Sequence, residues 1–210
     1  MIVLSHRGYW NGSRTKNSLE AFEHSFDRGF GTETDFRDRN GDLVISHDPP
    51  DFSALSADAM FRAMAERDAS LPLAVNIKAD GLQKLLTKAL TEHGITNYFL
   101  FDMSVPDAVA SMRAGLRVFT RQSDLERSPS FYAEAAGVWM DAFHDHTWLT
   151  PSTIEGHLNA GKEVCLVSPE LHGKPHLAFW QRLRESSIAS HAALMICSDI
   201  PEEALNYFNP

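Results

Sequence analysis

Four ionisable side chains in the first quarter of the chain, His6, Glu33, Asp35 and His47, have the types and spacings that acid–base chemistry at a charged oxygen needs. Glu33 and Asp35 stand two apart in the strand-like run Thr32–Phe36, so their carboxylates share one face. Two carboxylates on one inward face repel unless a cation or a proton intervenes. A hard, oxygen-preferring dication such as Mg²⁺ or Ca²⁺ suits that pair. Ion pairing with Arg37, Arg39 or Lys78 is the plainer alternative. Asn76 and Lys78 repeat the two-residue spacing, and Lys78 can neutralise a phosphate or pair with nearby Asp80. His6 ends an apolar run and is followed by Arg7-Gly8, while His47 is followed by Asp48-Pro49. Alone, each histidine reads as structural and Asp48 as a turn residue. Together, two histidines flanking a carboxylate pair, with an arginine and a lysine, supply the parts of phosphoryl transfer. One histidine takes a proton from the nucleophile, the other returns one to the leaving alcohol, and the cations neutralise charge on the phosphoryl oxygens.

These residues must be carried by something rigid. Eight short apolar runs recur along the chain: Ile2–His6, Thr32–Phe36, Leu73–Lys78, Tyr98–Phe101, Arg117–Arg121, Val138–Ala142, Val164–Val167 and Leu194–Ser198. Such runs suit buried parallel strands. Helical patterns lie between them, at Ser56–Arg67, Gly81–His93, Pro106–Ala114, Thr153–Asn159, Leu177–Ser187 and Glu202–Phe208. Another opens at Asn17-Ser-Leu-Glu20, with Asn17 as N-cap and Glu20 closing a capping box. The interval 123–136 has room for one more, interrupted by Pro129. This alternation predicts a single-domain (β/α)8 TIM barrel over residues 1–210, with an open doubly wound sheet as the alternative. The turn Arg39-Asn-Gly-Asp42 followed by Leu43–His47 predicts a hairpin folding His47 back over the C-terminal rim, where barrel chemistry sits. The same rim should carry Asp102, Asp141, Glu170 and Asp199. His144 and His146 read first as solvated loop residues, and His172 and His176 as residues within reach of the rim.

Composition narrows the class. The chain has 210 residues, 43% of them hydrophobic, and a formal net charge of −9. That balance argues against a nucleic-acid binder, which carries a basic face. No apolar run is long enough to span a bilayer, and no charged segment followed by an apolar stretch opens the chain, so a cytoplasmic location without a signal peptide is expected. Cys165 and Cys197 lie in apolar runs and read as reduced core residues.

The ordered segments His6-Arg7-Gly8, Asn17-Ser-Leu-Glu-Ala-Phe22, Thr32-Glu-Thr-Asp35 and Val44-Ile-Ser-His-Asp48 resemble the glycerophosphodiester phosphodiesterases, of the phospholipase-C-like TIM-barrel superfamily. Their pattern is an H-R-G strand end, an E-N-T-L-E-A-F helix start, an E-L-D strand and a V-x-H-D segment. Val75-Asn-Ile-Lys78 is similar to the family's E-I-K, and Met195–Pro201 to its terminal I-x-T-D-x-P. Residues 87–193 match only in rhythm. The resemblance implies a TIM barrel and metal-dependent hydrolysis of a small-molecule or glycan-linked phosphodiester, as in lipid metabolism. It implies His6 and His47 as the acid–base pair, Arg7 and Lys78 on the phosphate, and Glu33, Asp35 and Asn76 on Mg²⁺ or Ca²⁺. The substrate's neighbouring hydroxyl would attack first, through a cyclic phosphate. Asp48, Asp141 and Glu170 are candidates for the wider pocket. The chain departs from the family in three places. Asn76 replaces the family's third acidic ligand, so a dication would be held more weakly. Only residues 49–72 stand where the family has a helical insertion, which leaves a more open pocket. Leu166-Val-Ser-Pro-Glu170 replaces an aromatic motif, making Glu170 a candidate contact to hydroxyls or an amine. Two alternatives stay open. One is an intramolecular transfer releasing a cyclic phosphate, as in the related phospholipase D toxins. The other is a non-catalytic binder of a phosphorylated ligand.

Overall fold

A computed structural model describes residues 1–12 and 14–209, in two compact units: residues 5–118, and residues 1–4 with 119–210. The first strand, β1 (Ile2–His6), gives its Ser5-His6 end to the 5–118 unit. Helix α1 (Leu19–Asp27) follows, burying Ala21, Phe22, Ser25 and Phe26 on one stripe. Strand β2 (Gly31–Arg39) turns back into β3 (Asp42–Ile45) in antiparallel register, Phe36 opposite Ile45 and Arg39 opposite Asp42. The turn between them has Asn40 and Gly41 both at positive φ, 53° and 89°, the backbone a two-residue hairpin of this twist requires. The short β4 (Leu55–Ser56) pairs with β3 and leads into α2 (Ala57–Arg67).

On the other side of β2, β5 (Leu73–Ile77) runs parallel and sets Asp35 beside Asn76. Helix α3 (Gln83–Glu92) leads to β6 (Tyr98–Phe101), parallel to β5. Helix α4 (Val105–Arg113) closes the unit, its first turn capped by the Ser104 hydroxyl. β5 is buried at every position, as a parallel strand covered on both faces should be.

The other unit is a parallel sheet of β7 (Phe119–Ser123), β8 (Gly137–Asp141), β9 (Glu163–Val167) and β10 (Leu194–Ser198). Helix α5 (Pro151–Asn159) joins β8 to β9, α6 (Leu177–Arg184) joins β9 to β10, and α7 (Pro201–Phe208) follows. Cys165 and Cys197 are buried free thiols. No described helix is long and apolar enough to cross a membrane.

All eight expected runs are strands, and β1, β6 and β10 have the expected bounds. Two local expectations fail. The N-cap of α1 is Ser18, whose hydroxyl accepts from Ala21 N at 3.2 Å, and not Asn17. Asn17 takes a left-handed φ of 60°, and its amide is drawn onto the buried Asp35 carboxylate. The 123–136 interval forms turns rather than a helix: Ser123 caps Leu125 and Glu126, and Pro129 lacks the N–H a helix needs.

Candidate active site

The polar residues of the 5–118 unit gather where β1, β2 and β5 end. The Arg7 N–H donates to the Glu33 carbonyl at 2.8 Å, tying the end of β1 to β2. Arg7 and Gly8 then take consecutive left-handed φ values, 61° and 83°. A non-glycine residue held there stores strain, a feature of functional sites. The turn carries the Arg7 guanidinium back to the Asp35 carboxylate, Nε to Oδ2 at 2.9 Å. Gly8 has no alternative: a Cβ built on it would lie 2.8 Å from the Ala21 backbone carbon. Gly8→Ala is therefore expected to lose about 1–3 kcal/mol from the backbone term alone, more with the clash, and urea denaturation would read it.

Asp35 and Glu33 are both buried, and the two carboxylates have different neighbours. Asp35 Oδ2 also accepts from Asn17 Nδ2 at 2.9 Å, and Lys78 Nζ lies 3.6 Å from Oδ1. Lys78 thus turns to Asp35, while Asp80 accepts from the Ser104 hydroxyl instead. Glu33 Oε1 accepts from Asn76 Nδ2 at 2.9 Å, and His6 Nε2 is 3.8 Å from Oε2. Burial pushes the Glu33 carboxyl above its ordinary range, against the opposing pull of His6. The His6 carbonyl accepts from the Trp10 indole at 3.0 Å, which fixes the backbone that carries the ring.

The hairpin delivers His47 to the same strand. Ser46 N donates to the Asp35 carbonyl at 3.0 Å, one residue before His47. The His47 carbonyl accepts from Arg37 Nε and Nη2, at 3.2 and 3.0 Å, so Arg37 holds the loop and not the carboxylates. His47 Nδ1 lies 3.0 Å from the exposed carboxylate of Asp48. With the proton on Nδ1, Nε2 is left with its lone pair.

The buried oxygens offer a place for a dication. Glu33 Oε2, Asp35 Oδ1 and Asn76 Oδ1 are buried and accept no hydrogen bond among the described residues. Unmet buried acceptors on adjacent strands are the donor set a hard cation takes. Among the described residues no group of three His, Cys, Asp or Glu could hold a metal, and the third unmet oxygen is on the neutral amide of Asn76.

Asp141 and Glu170 belong to the other unit and have local partners. Glu170 accepts from the Ser168 and Ser198 hydroxyls, at 2.5 and 2.6 Å, and Trp180 Nε1 donates to Ser168 Oγ. Both carboxylate oxygens are thus engaged by serines. Asp141 Oδ1 lies 2.7 Å from His172 Nε2, with the Phe143 ring tilted against the imidazole. Asp124 accepts from the backbone N–H groups of Phe143, His144 and Asp145 and so shapes the loop beside them. His146 is half-buried, and burial lowers its pKa.

The Asp141 hydrogen bond raises the His172 pKa above its ordinary 6.5. A raised folded value means the pair's stabilisation is complete below about pH 6.5 and is lost as pH rises through the folded value. The Tm advantage of the native protein over Asp141→Asn should therefore shrink as pH rises from about 6 to 9. A gap that holds constant would remove the ion pair from the account.

No protein-family model and no curated protein matches the sequence. Solved structures do. A glycerophosphodiester phosphodiesterase from Parabacteroides distasonis is 13% identical, with 99% of this chain and 96% of that one covered at a TM-score of 0.75. One from Agrobacterium tumefaciens is 17% identical, covering 96% and 97% at 0.71. A phosphodiesterase from Oleispira antarctica, in complex with the product sn-glycerol-3-phosphate, is 14% identical, covering 100% and 97% at 0.71. The likeness shows the fold: this chain has the (β/α)8 TIM-barrel fold of the glycerophosphodiester phosphodiesterases.

Proposed function

We propose that a chain sharing this barrel with the glycerophosphodiester phosphodiesterases hydrolyses a glycerophosphodiester-like or sugar-linked phosphodiester, with His6 and His47 as the acid–base pair. One observation carries the reading. The backbone before His47 and the backbone after His6 are both hydrogen-bonded to β2, at Asp35 and Glu33, where Arg7 and Lys78 converge on a buried carboxylate. Two proton carriers beside two fixed cations are what a phosphodiester needs.

In this reading the substrate's neighbouring hydroxyl attacks phosphorus, giving its proton to His47 Nε2, the nitrogen left open by the Nδ1–Asp48 contact. The phosphorus–oxygen bond to the leaving alcohol breaks, and that oxygen takes a proton from His6. Arg7 and Lys78 neutralise the charge that grows on the phosphoryl oxygens. Water then opens the cyclic phosphate with the two histidines in reversed roles. Glu33 Oε2, Asp35 Oδ1 and Asn76 Oδ1 would hold a divalent cation, Mg²⁺ or Ca²⁺, which supplies Lewis-acid charge neutralisation at the phosphate.

The test is a phosphorus NMR screen of glycerol phosphodiesters of choline, ethanolamine, inositol and sugars, with Mg²⁺ or Ca²⁺ and with chelator. The expected result is cation-dependent release of the alcohol from substrates with a vicinal hydroxyl and none from their deoxy analogues. A cyclic phosphate that persists would mean that the reaction stops at the first transfer. Cleavage of no phosphodiester would end the reading.

A further inference from the structure

We propose that the divalent cation and the phosphoryl group enter this site as a coupled pair, each binding weakly without the other. The proposal rests on reading the site as a metal-assisted phosphodiesterase and concerns what this chain's own residues do to the order of binding.

Charge is the first ground. The anionic oxygens come from Glu33 and Asp35 alone, because the third buried acceptor is the neutral Asn76 amide. Two permanent cations already face one of them: Arg7 Nε lies 2.9 Å from Asp35 Oδ2 and Lys78 Nζ 3.6 Å from Oδ1, while Glu33 Oε2 has His6 Nε2 at 3.8 Å. Even with both carboxylates ionised, one guanidinium and one ammonium bring the cluster to zero before any dication arrives. A dication entering alone leaves an uncompensated double positive charge in a buried place, which low-polarity surroundings penalise.

Competition is the second ground. The oxygen a cation would take from Asp35, Oδ1, is the one Lys78 faces. On the other carboxylate, Asn76 gives its N–H to Glu33 Oε1 and leaves Oε2 and its own Oδ1 unmet. The donor set is shaped for a cation, but the Asp35 charge is spent on Arg7 and Lys78. A phosphoryl group reverses this. Its oxygens draw Arg7 and Lys78, release Asp35 Oδ1, and add anionic donors to the shell. By linkage the cation raises the affinity for the phosphoryl group by the same factor.

Mn²⁺ binding to the full chain, followed by loss of the free-ion electron paramagnetic resonance signal, tests this with and without sn-glycerol 3-phosphate. Affinity for Mn²⁺ should rise roughly tenfold or more with the phosphate ester present, and affinity for the ester should rise equally with Mn²⁺. Asn76→Asp adds the missing charge, and Lys78→Met removes the competitor. Each should strengthen Mn²⁺ binding without ester and shrink the coupling. Mn²⁺ affinity in the native chain that the ester changes by less than about twofold, or no Mn²⁺ binding in either condition, would overturn the proposal. Tight Mn²⁺ binding by the ester-free chain that still cleaves a phosphodiester removes the coupling and leaves the activity standing. Coupled binding without cleavage of any phosphodiester does the reverse.

Discussion

His47→Gln is expected to lower kcat for phosphodiester hydrolysis by about 10²–10⁴-fold, the range general acid–base groups contribute, while Tm barely moves. The separation of the two effects follows from where the side chain stands. The His47 side chain is 47% exposed, and its ring contact is to the exposed Asp48 carboxylate. The clamp that fixes the loop, Arg37, grips the His47 backbone carbonyl, which glutamine retains. Surface changes of this kind shift stability by only a few tenths of a kcal/mol or so. His6→Gln should match the loss of activity and add a loss of stability, because that ring is largely buried and 3.8 Å from the Glu33 carboxylate. Single-turnover kinetics beside thermal melting reads both. A His47→Gln protein that keeps its rate would take the acid–base assignment with it.

Arg7→Met is the second large effect, and it falls on stability as well as rate. Asp35 is fully buried, and removing one partner of a buried pair costs about 3–5 kcal/mol because the other charge is left uncompensated. Lys78 and Asn17 still reach Asp35, so the loss should fall at the lower end, about 3 kcal/mol by urea denaturation. The double variant Arg7→Met/Asp35→Asn removes both charges and should recover much of that stability while remaining inactive. Recovery of stability without recovery of rate separates holding Asp35 from binding phosphate. If the single variant is as stable as the native protein, the Arg7–Asp35 pair is not what keeps that carboxylate buried.

The elements were far more legible in the sequence than the contacts among them. Strands such as Leu73–Ile77 and Leu194–Ser198 are buried along their length, so a largely apolar run marks them without knowledge of any neighbour. The hairpin was equally local, since Asn40-Gly41 carries its own backbone preference. The Glu33/Asp35 pair was visible because strand periodicity forces it. Asn17 stands where helix caps stand, and only the fold brings Asp35 within reach of its amide. The Asp141–His172 pair joins residues 31 apart in sequence, so no periodicity announces it. The Ser168 and Ser198 hydroxyls that close on Glu170 were equally hidden, since Ser198 stands 28 residues away in sequence.

The β2–β3 ribbon has a mechanical consequence. Glu33, Asp35 and His47 lie on one continuous stretch of chain, doubled back through a two-residue turn and pinned by the Ser46–Asp35 hydrogen bond. His47 and the carboxylate that Arg7 and Lys78 face therefore ride on one beam. The turn sets their spacing like a gauge block: one residue added at Asn40-Gly41 would slip the register and swing His47 to the opposite face, with every atom of the site still present.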